Sequence, residues 1–138
     1  MTAAYLTTVL ALYVAAIPAE VSTGHELVAD DIPAVWASLA DCESGEWDAD
    51  GVPIEGTARW DYGAPGGFVH DGYGQYDGGL NFVPSTWTWG AETLGYADQF
   101  PYAYQAPARV QVEVGRWVQE RQTWAAWPVC SRMIGLRR

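Results

Sequence analysis

The stretch Val35-Trp36-Ala37-Ser38-Leu39-Ala40-Asp41-Cys42-Glu43-Ser44-Gly45 decides how the chain is read. Asp30-Asp31 and Pro33, just ahead of it, are residue types that start a helix. Ile32, Trp36, Leu39 and Glu43 follow at intervals of four, three and four, which places them on one helical stripe. Ser44-Gly45 ends the helix. Trp36 and Leu39 make this the buried stripe, so Glu43 is carried toward the core. A buried charge is costly unless it is paired or takes up a proton. Acid catalysis of glycoside cleavage uses such a Glu, held protonated near neutrality. A capping or salt-bridged carboxylate at a helix end has the same spacing, and spacing does not separate the two.

Residues 45–79, directly downstream, are different in kind. They hold ten of the fifteen glycines, interleaved with Trp47, Trp60, Tyr62, Phe68, Tyr73 and Tyr76. This composition predicts loop and short hairpin, and a connection of that length points to function. Sugar rings stack on Trp and Tyr faces, so these rings are candidate sugar contacts; filling the core under a long loop accounts for them equally. Trp36, Trp117 and Trp127 read as core.

A second helix is expected from Pro84-Ser85-Thr86 to Gly95, with Trp87, Ala91 and Leu94 on one face. A third fits 107–122, with Val110, Val114, Trp117 and Val118 facing inward. Arg109/Glu113 and Arg116/Glu120 lie on its outer side as i,i+4 pairs. No stretch alternates with period two. The fold class is α+β, mainly helical, with a short β element in the glycine-rich loop.

The 138 residues divide into an apolar segment, 1–29, and one domain, 30–138. Residues 2–19 carry no charge. They suit an export signal or membrane anchor, giving membrane contact, although no Lys or Arg precedes the apolar run; a packed helix is the alternative. The net charge of −10 argues against nucleic acid as a partner, because phosphate binding needs a basic face. The charge is uneven: residues 1–100 sum to −14, and 101–138 to +4. Cys42 and Cys130 are the only cysteines, which excludes a four-cysteine zinc site. They are either two buried thiols or one bridge; a bridge would contribute roughly 4–5 kcal/mol and need an oxidising compartment. No metal or cofactor is expected: His70-Asp71 is a poor metal site, and Asp48, Asp50 and Glu55 are too closely spaced for a calcium loop.

Three motifs in order carry a resemblance: Val35 to Gly45; Gly78-Gly79-Leu80-Asn81-Phe82 with Ser85-Thr86-Trp87; and Trp124-Ala125-Ala126-Trp127-Pro128-Val129-Cys130-Ser131. Together they resemble the catalytic domain of the resuscitation-promoting factors over roughly residues 34–132. The insert Ala58-Arg59-Trp60-Asp61-Tyr62-Gly63 is similar to a variant seen in phages and mobile elements.

The resemblance implies a small lysozyme-like fold with a Cys42–Cys130 disulfide. It implies a glycosidase or lytic transglycosylase acting on peptidoglycan, at the β-1,4 bond between N-acetylmuramic acid and N-acetylglucosamine. Glu43 matches the family's catalytic Glu, Asn81 stands where a substrate-contacting Gln is usual, and Trp87 matches a cleft-lining Trp. Tyr76, Trp60 and Tyr62 are further candidate substrate contacts. Asp77 is the first choice for a supporting carboxylate, followed by Asp61 and Asp71. The glycan strand is the expected partner and the cell envelope or exterior the expected location, with a phage virion as the alternative. Departures from the family pattern are the 35-residue gap from Glu43 to Gly78, the shorter Asn81 and the missing threonine-bearing loop. They leave open a non-catalytic glycan-binding or phage-structural protein of the same shape.

Overall fold

The computed structural model describes residues 32–63, 69–70 and 74–136. The 1–29 segment, Asp30-Asp31, Phe68, Asp71 and Tyr73 lie outside the described residues. Helix α1 is Ala34–Ser44, α2 is Pro84–Leu94, α3 is Ala108–Gln122 and α4 is Cys130–Met133. Strands β1 (Val69–His70) and β2 (Gly74–Gln75) pair antiparallel inside the glycine-rich region, with Val69 opposite Gln75. Short 3-10 turns cover Ala103–Gln105 and Thr123–Ala126. This is a mainly helical, small lysozyme-like α+β fold with one disulfide.

Helix α1 ends where Gly45 donates its N–H to the Asp41 carbonyl at 3.0 Å. Gly45 is needed there for close approach and not for a left-handed turn, since its backbone is extended. A Cβ would sit 2.4 Å from the Asp41 carbonyl oxygen and 2.5 Å from Thr57 Oγ1. Thr57 belongs to a ribbon that folds back on the helix end. Asp48 and Val52 pair across it, as do Glu46 and Ile54, with Trp47 opposite Pro53. Pro53 fits because that position donates nothing to the ladder. The ribbon is fastened by side chains of α1. The Asp41 carboxylate accepts from the N–H of Gly56 (3.0 Å) and Ala58 (2.8 Å), and Ser44 Oγ from that of Arg59 (3.0 Å).

The core gathers on one face of α3. Val110, Val114, Trp117 and Val118 are buried, as their spacing predicts. Trp36 packs against Trp124 and Trp127 at ring distances of 5.2 and 5.6 Å. Buried indoles need a partner for their N–H. Trp127 donates to the Leu80 carbonyl at 2.8 Å and Trp87 to the Phe100 carbonyl at 2.9 Å. The Cys42–Cys130 bridge closes a separation of 88 residues and ties α1 to α4.

Two surface expectations fail. Leu94, the last residue of α2, is 38% exposed, so the inward face of that helix ends at Ala91. Arg109 pairs with Glu113 at 3.0 Å, but Arg116–Glu120 is not among the ion pairs of the described residues. Glu120 instead lies 3.6 Å from Arg121. Arg121 in turn stacks 4.0 Å over the Trp117 ring, where a guanidinium gains both cation–π attraction and apolar cover.

Candidate active site

Four consecutive residues at the end of α1 divide three tasks among them. Asp41 and Ser44 hold the ribbon, Cys42 is bridged to Cys130, and Glu43 faces a cleft. The cleft measures about 570 Å³, within the usual range for a small-molecule site. Glu43, Tyr76 and Asn81 supply polar groups, with Thr86 and Gln122 beyond them. Phe82, Val118, Trp127 and Val129 form the apolar wall. Among the described residues, no Arg or Asp lines it.

Burial pushes the Glu43 carboxyl up from 4.5 to about 7, and a hydrogen bond from Asn81 partly opposes the rise. The Asn81 amide nitrogen donates to the Glu43 carbonyl at 2.5 Å and faces Glu43 Oε2 at 3.4 Å. Asn81 reaches α1 from a left-handed backbone, φ 50°, which Asn tolerates better than most residues. Its turn is braced from behind. Gln111, fully buried on α3, accepts the Gly79 N–H at 2.8 Å. It also donates to the carbonyls of Trp60 (2.8 Å) and Ala106 (2.9 Å). Any Cβ on Gly79 would lie 2.5 Å from the Trp60 ring, so this glycine serves packing.

The residues singled out from the sequence are therefore only partly brought together. Glu43, Asn81 and Tyr76 meet at the cleft. Trp87 is 1% exposed and packs on Phe82 with ring centroids 5.3 Å apart, so it backs the cleft wall and offers no face to solvent. Trp60 lies against Gly79 and Tyr62 against the Arg59 guanidinium; neither lines the cleft. Asp77 is sealed in the turn at 2% exposure, away from the cleft lining. It accepts backbone N–H groups from Ala103, at 3.0 Å, and Tyr104. Burial lifts it to about 6 against those hydrogen bonds.

Gln122, Thr86 and Val129 were not anticipated. Gln122 had a signal: it extends the inward stripe Val114, Val118 by one more step of four, as Glu43 extends that of α1. Trp127 is both core and cleft wall.

No family model matches the chain, and no solved structure matches it. Curated relatives do. It is 32% identical to the resuscitation-promoting factor Rpf2 of Corynebacterium glutamicum over 123 residues, 89% of this chain and 26% of that protein. It is 35% identical to Rpf1 of the same species, over 73% of this chain and 40% of that one. The resuscitation-promoting factor Rpf of Micrococcus luteus is 31% identical over 73% of this chain and 33% of its own length. The chain thus spans well under half the length of these relatives, which come from bacteria. The domain that carries Glu43, Asn81 and the Cys42–Cys130 bridge is a resuscitation-promoting factor domain.

Proposed function

We propose that this domain is a muralytic enzyme that cleaves the glycan strand of peptidoglycan, with Glu43 as the general acid. One observation carries the reading: a part-buried carboxyl, lifted to about 7, stands at the polar end of an uncharged cleft in a chain of this family. At neutral pH a large fraction of it holds a proton to give. The bond addressed is the β-1,4 link between N-acetylmuramic acid and N-acetylglucosamine. Glu43 protonates the bridging oxygen as the bond to the muramic C1 breaks.

Glu43 is the one carboxylate among the described residues lining the cleft. A retaining hydrolase needs a second carboxylate about 5 Å away as nucleophile. No such carboxylate lines the cleft among the described residues, which favours attack by the substrate's own C6 hydroxyl. The oxygen bonds to C1, its proton passes to the Glu43 carboxylate, and a 1,6-anhydro end results. Water in place of that hydroxyl gives hydrolysis. Asp77 has no part in either route. Tyr76, Thr86 and Gln122 are placed to meet hydroxyl and acetamido groups, and the apolar wall to meet ring faces.

The substrate puts the site of action in the cell envelope or outside the cell. Nothing among the relatives supports a phage virion. No helix of the described residues is long and apolar enough to cross a membrane.

The test is digestion of purified peptidoglycan by the wild type and Glu43→Gln in parallel, with products read by mass spectrometry. Anhydro ends that vanish in the variant support the proposal. Ends carrying an added water would replace the transglycosylase route by hydrolysis. Digestion undetectable in the wild type, or unchanged in the variant, would leave a glycan-binding protein.

A further inference from the structure

We infer that Asn81 is a positioning residue for Glu43: its amide fixes where that carboxyl group sits and which oxygen is left to carry the transferable proton. The inference rests on Glu43 being the acid.

Donor arithmetic comes first. A side-chain amide nitrogen has two hydrogens. Its nitrogen lies within reach of two acceptors on Glu43, the carbonyl (2.5 Å) and Oε2 (3.4 Å), one for each hydrogen. No N–H of this amide remains for a sugar. The opposite amide orientation would set two carbonyl oxygens against each other. Donation to Oε2 leaves Oε1 as the oxygen that is protonated and gives up its proton. Asn81 Oδ1 is buried and has no partner among the described residues.

Rigidity comes second. Asn81 is the fourth residue of a closed turn, its N–H donating to the Gly78 carbonyl at 3.1 Å. Gly79 next to it is pinned by Gln111. From φ 50° the short side chain spans directly to the last turn of α1. Asn81 thereby joins two parts of the chain 38 residues apart at the reacting group.

Among the described residues, competing charges are few. The cleft is lined from α1, the 76–83 turn, α2, α3 and the 126–130 turn. Among those lining residues Tyr76 is the one other titratable group, since Cys130 is bridged. Asn81 is the hydrogen bond that opposes the effect of burial on Glu43.

The experiment is a carbon-13 titration of the Glu43 carboxyl in the full chain, in wild type, Asn81→Gly and Asn81→Asp. Glycine keeps the backbone conformation and removes the amide. Aspartate keeps both conformation and size but replaces the donor with an acceptor. Binding of chitotetraose is followed in parallel. The Glu43 midpoint is expected to rise by about half to one pH unit in the glycine variant and further in the aspartate variant. Chitotetraose affinity should change less than about threefold, an energy below ~0.7 kcal/mol. The midpoint decides: an unmoved or lowered value in both variants overturns the inference. Tenfold weaker chitotetraose binding with an unmoved midpoint would identify the sugar as the partner of the amide instead. The titration needs no turnover. If the wild type releases no muropeptides, the enzymatic reading fails while this measurement still reads the Asn81–Glu43 pair.

Discussion

Among the described residues, two carboxyl groups are pushed toward the protonated form mainly by burial, Glu43 to about 7 and Asp77 to about 6. Their surroundings could hardly differ more. Asp77 is closed off beneath the 77–82 turn and caps the amides of Ala103 and Tyr104. It organises backbone. Glu43 stands at the end of a helix, meets one side-chain amide, and opens on a cleft of about 570 Å³. Desolvation alone therefore does not single out the proposed acid. Access decides, together with whether the hydrogen bonds come from fixed backbone or from a side chain beside the open volume.

Three substitutions, read for four effects, would break or sharpen this contrast. The largest effect is on turnover. Glu43→Gln should lower muropeptide release by at least about 100-fold, while Asp77→Asn keeps it within about threefold. Equal losses in both would end the distinction. Next, Gln111→Leu orphans the Gly79 N–H and two carbonyls, and should lower unfolding free energy by about 2–4 kcal/mol in urea melts. The alkaline limb of the pH–rate profile, which the proposal assigns to Glu43, should stay in place.

The third effect is on stability against pH. The folded pKa of Glu43 lies above the unfolded value of 4.5, so the folded state holds its proton more tightly. Stability is then lost as pH rises from 4.5 to about 7. Glu43→Gln should remove that loss and be more stable than wild type above pH 7, by about 1–3 kcal/mol, with no difference below pH 4. The smallest effect is the matching one at Asp77, spread between pH 3.8 and about 6. Asp77→Asn should flatten the decline of unfolding free energy across that window by on the order of 1 kcal/mol. A steeper decline would mean that the Ala103 and Tyr104 amides outweigh burial.

The long helices are legible in the sequence because their signals are local. Pro84 opens α2, left-handed Gly95 (φ 80°) closes it, and the stripe on α3 repeats by threes and fours. Glu43 is legible for the same reason: Trp36 and Leu39 of its own helix announce its face. The bracing of the site is not. Gln111 meets Gly79 and Trp60 across 32 and 51 residues, and Asp77 meets Ala103 across 26. No periodicity encodes such pairings. The aromatic rings show the same limit. A glycine-rich setting suggested exposure for Trp60, yet it is packed on Gly79, while Trp127, read as core, is also wall. Whether a ring is open to a ligand depends on what folds over it from elsewhere.

The ribbon fastened to Asp41 and Ser44 has a consequence for engineering. Both of its feet stand on the helix that carries Glu43, but its tip, Asp48-Ala49-Asp50-Gly51, is exposed and closed by its own hydrogen bonds. Bonds at the feet isolate the acid from events at the tip. Extra sequence, such as an affinity tag or a wall-targeting peptide, can be spliced in there, whereas a cut at Gly56 to Arg59 would loosen the helix end itself.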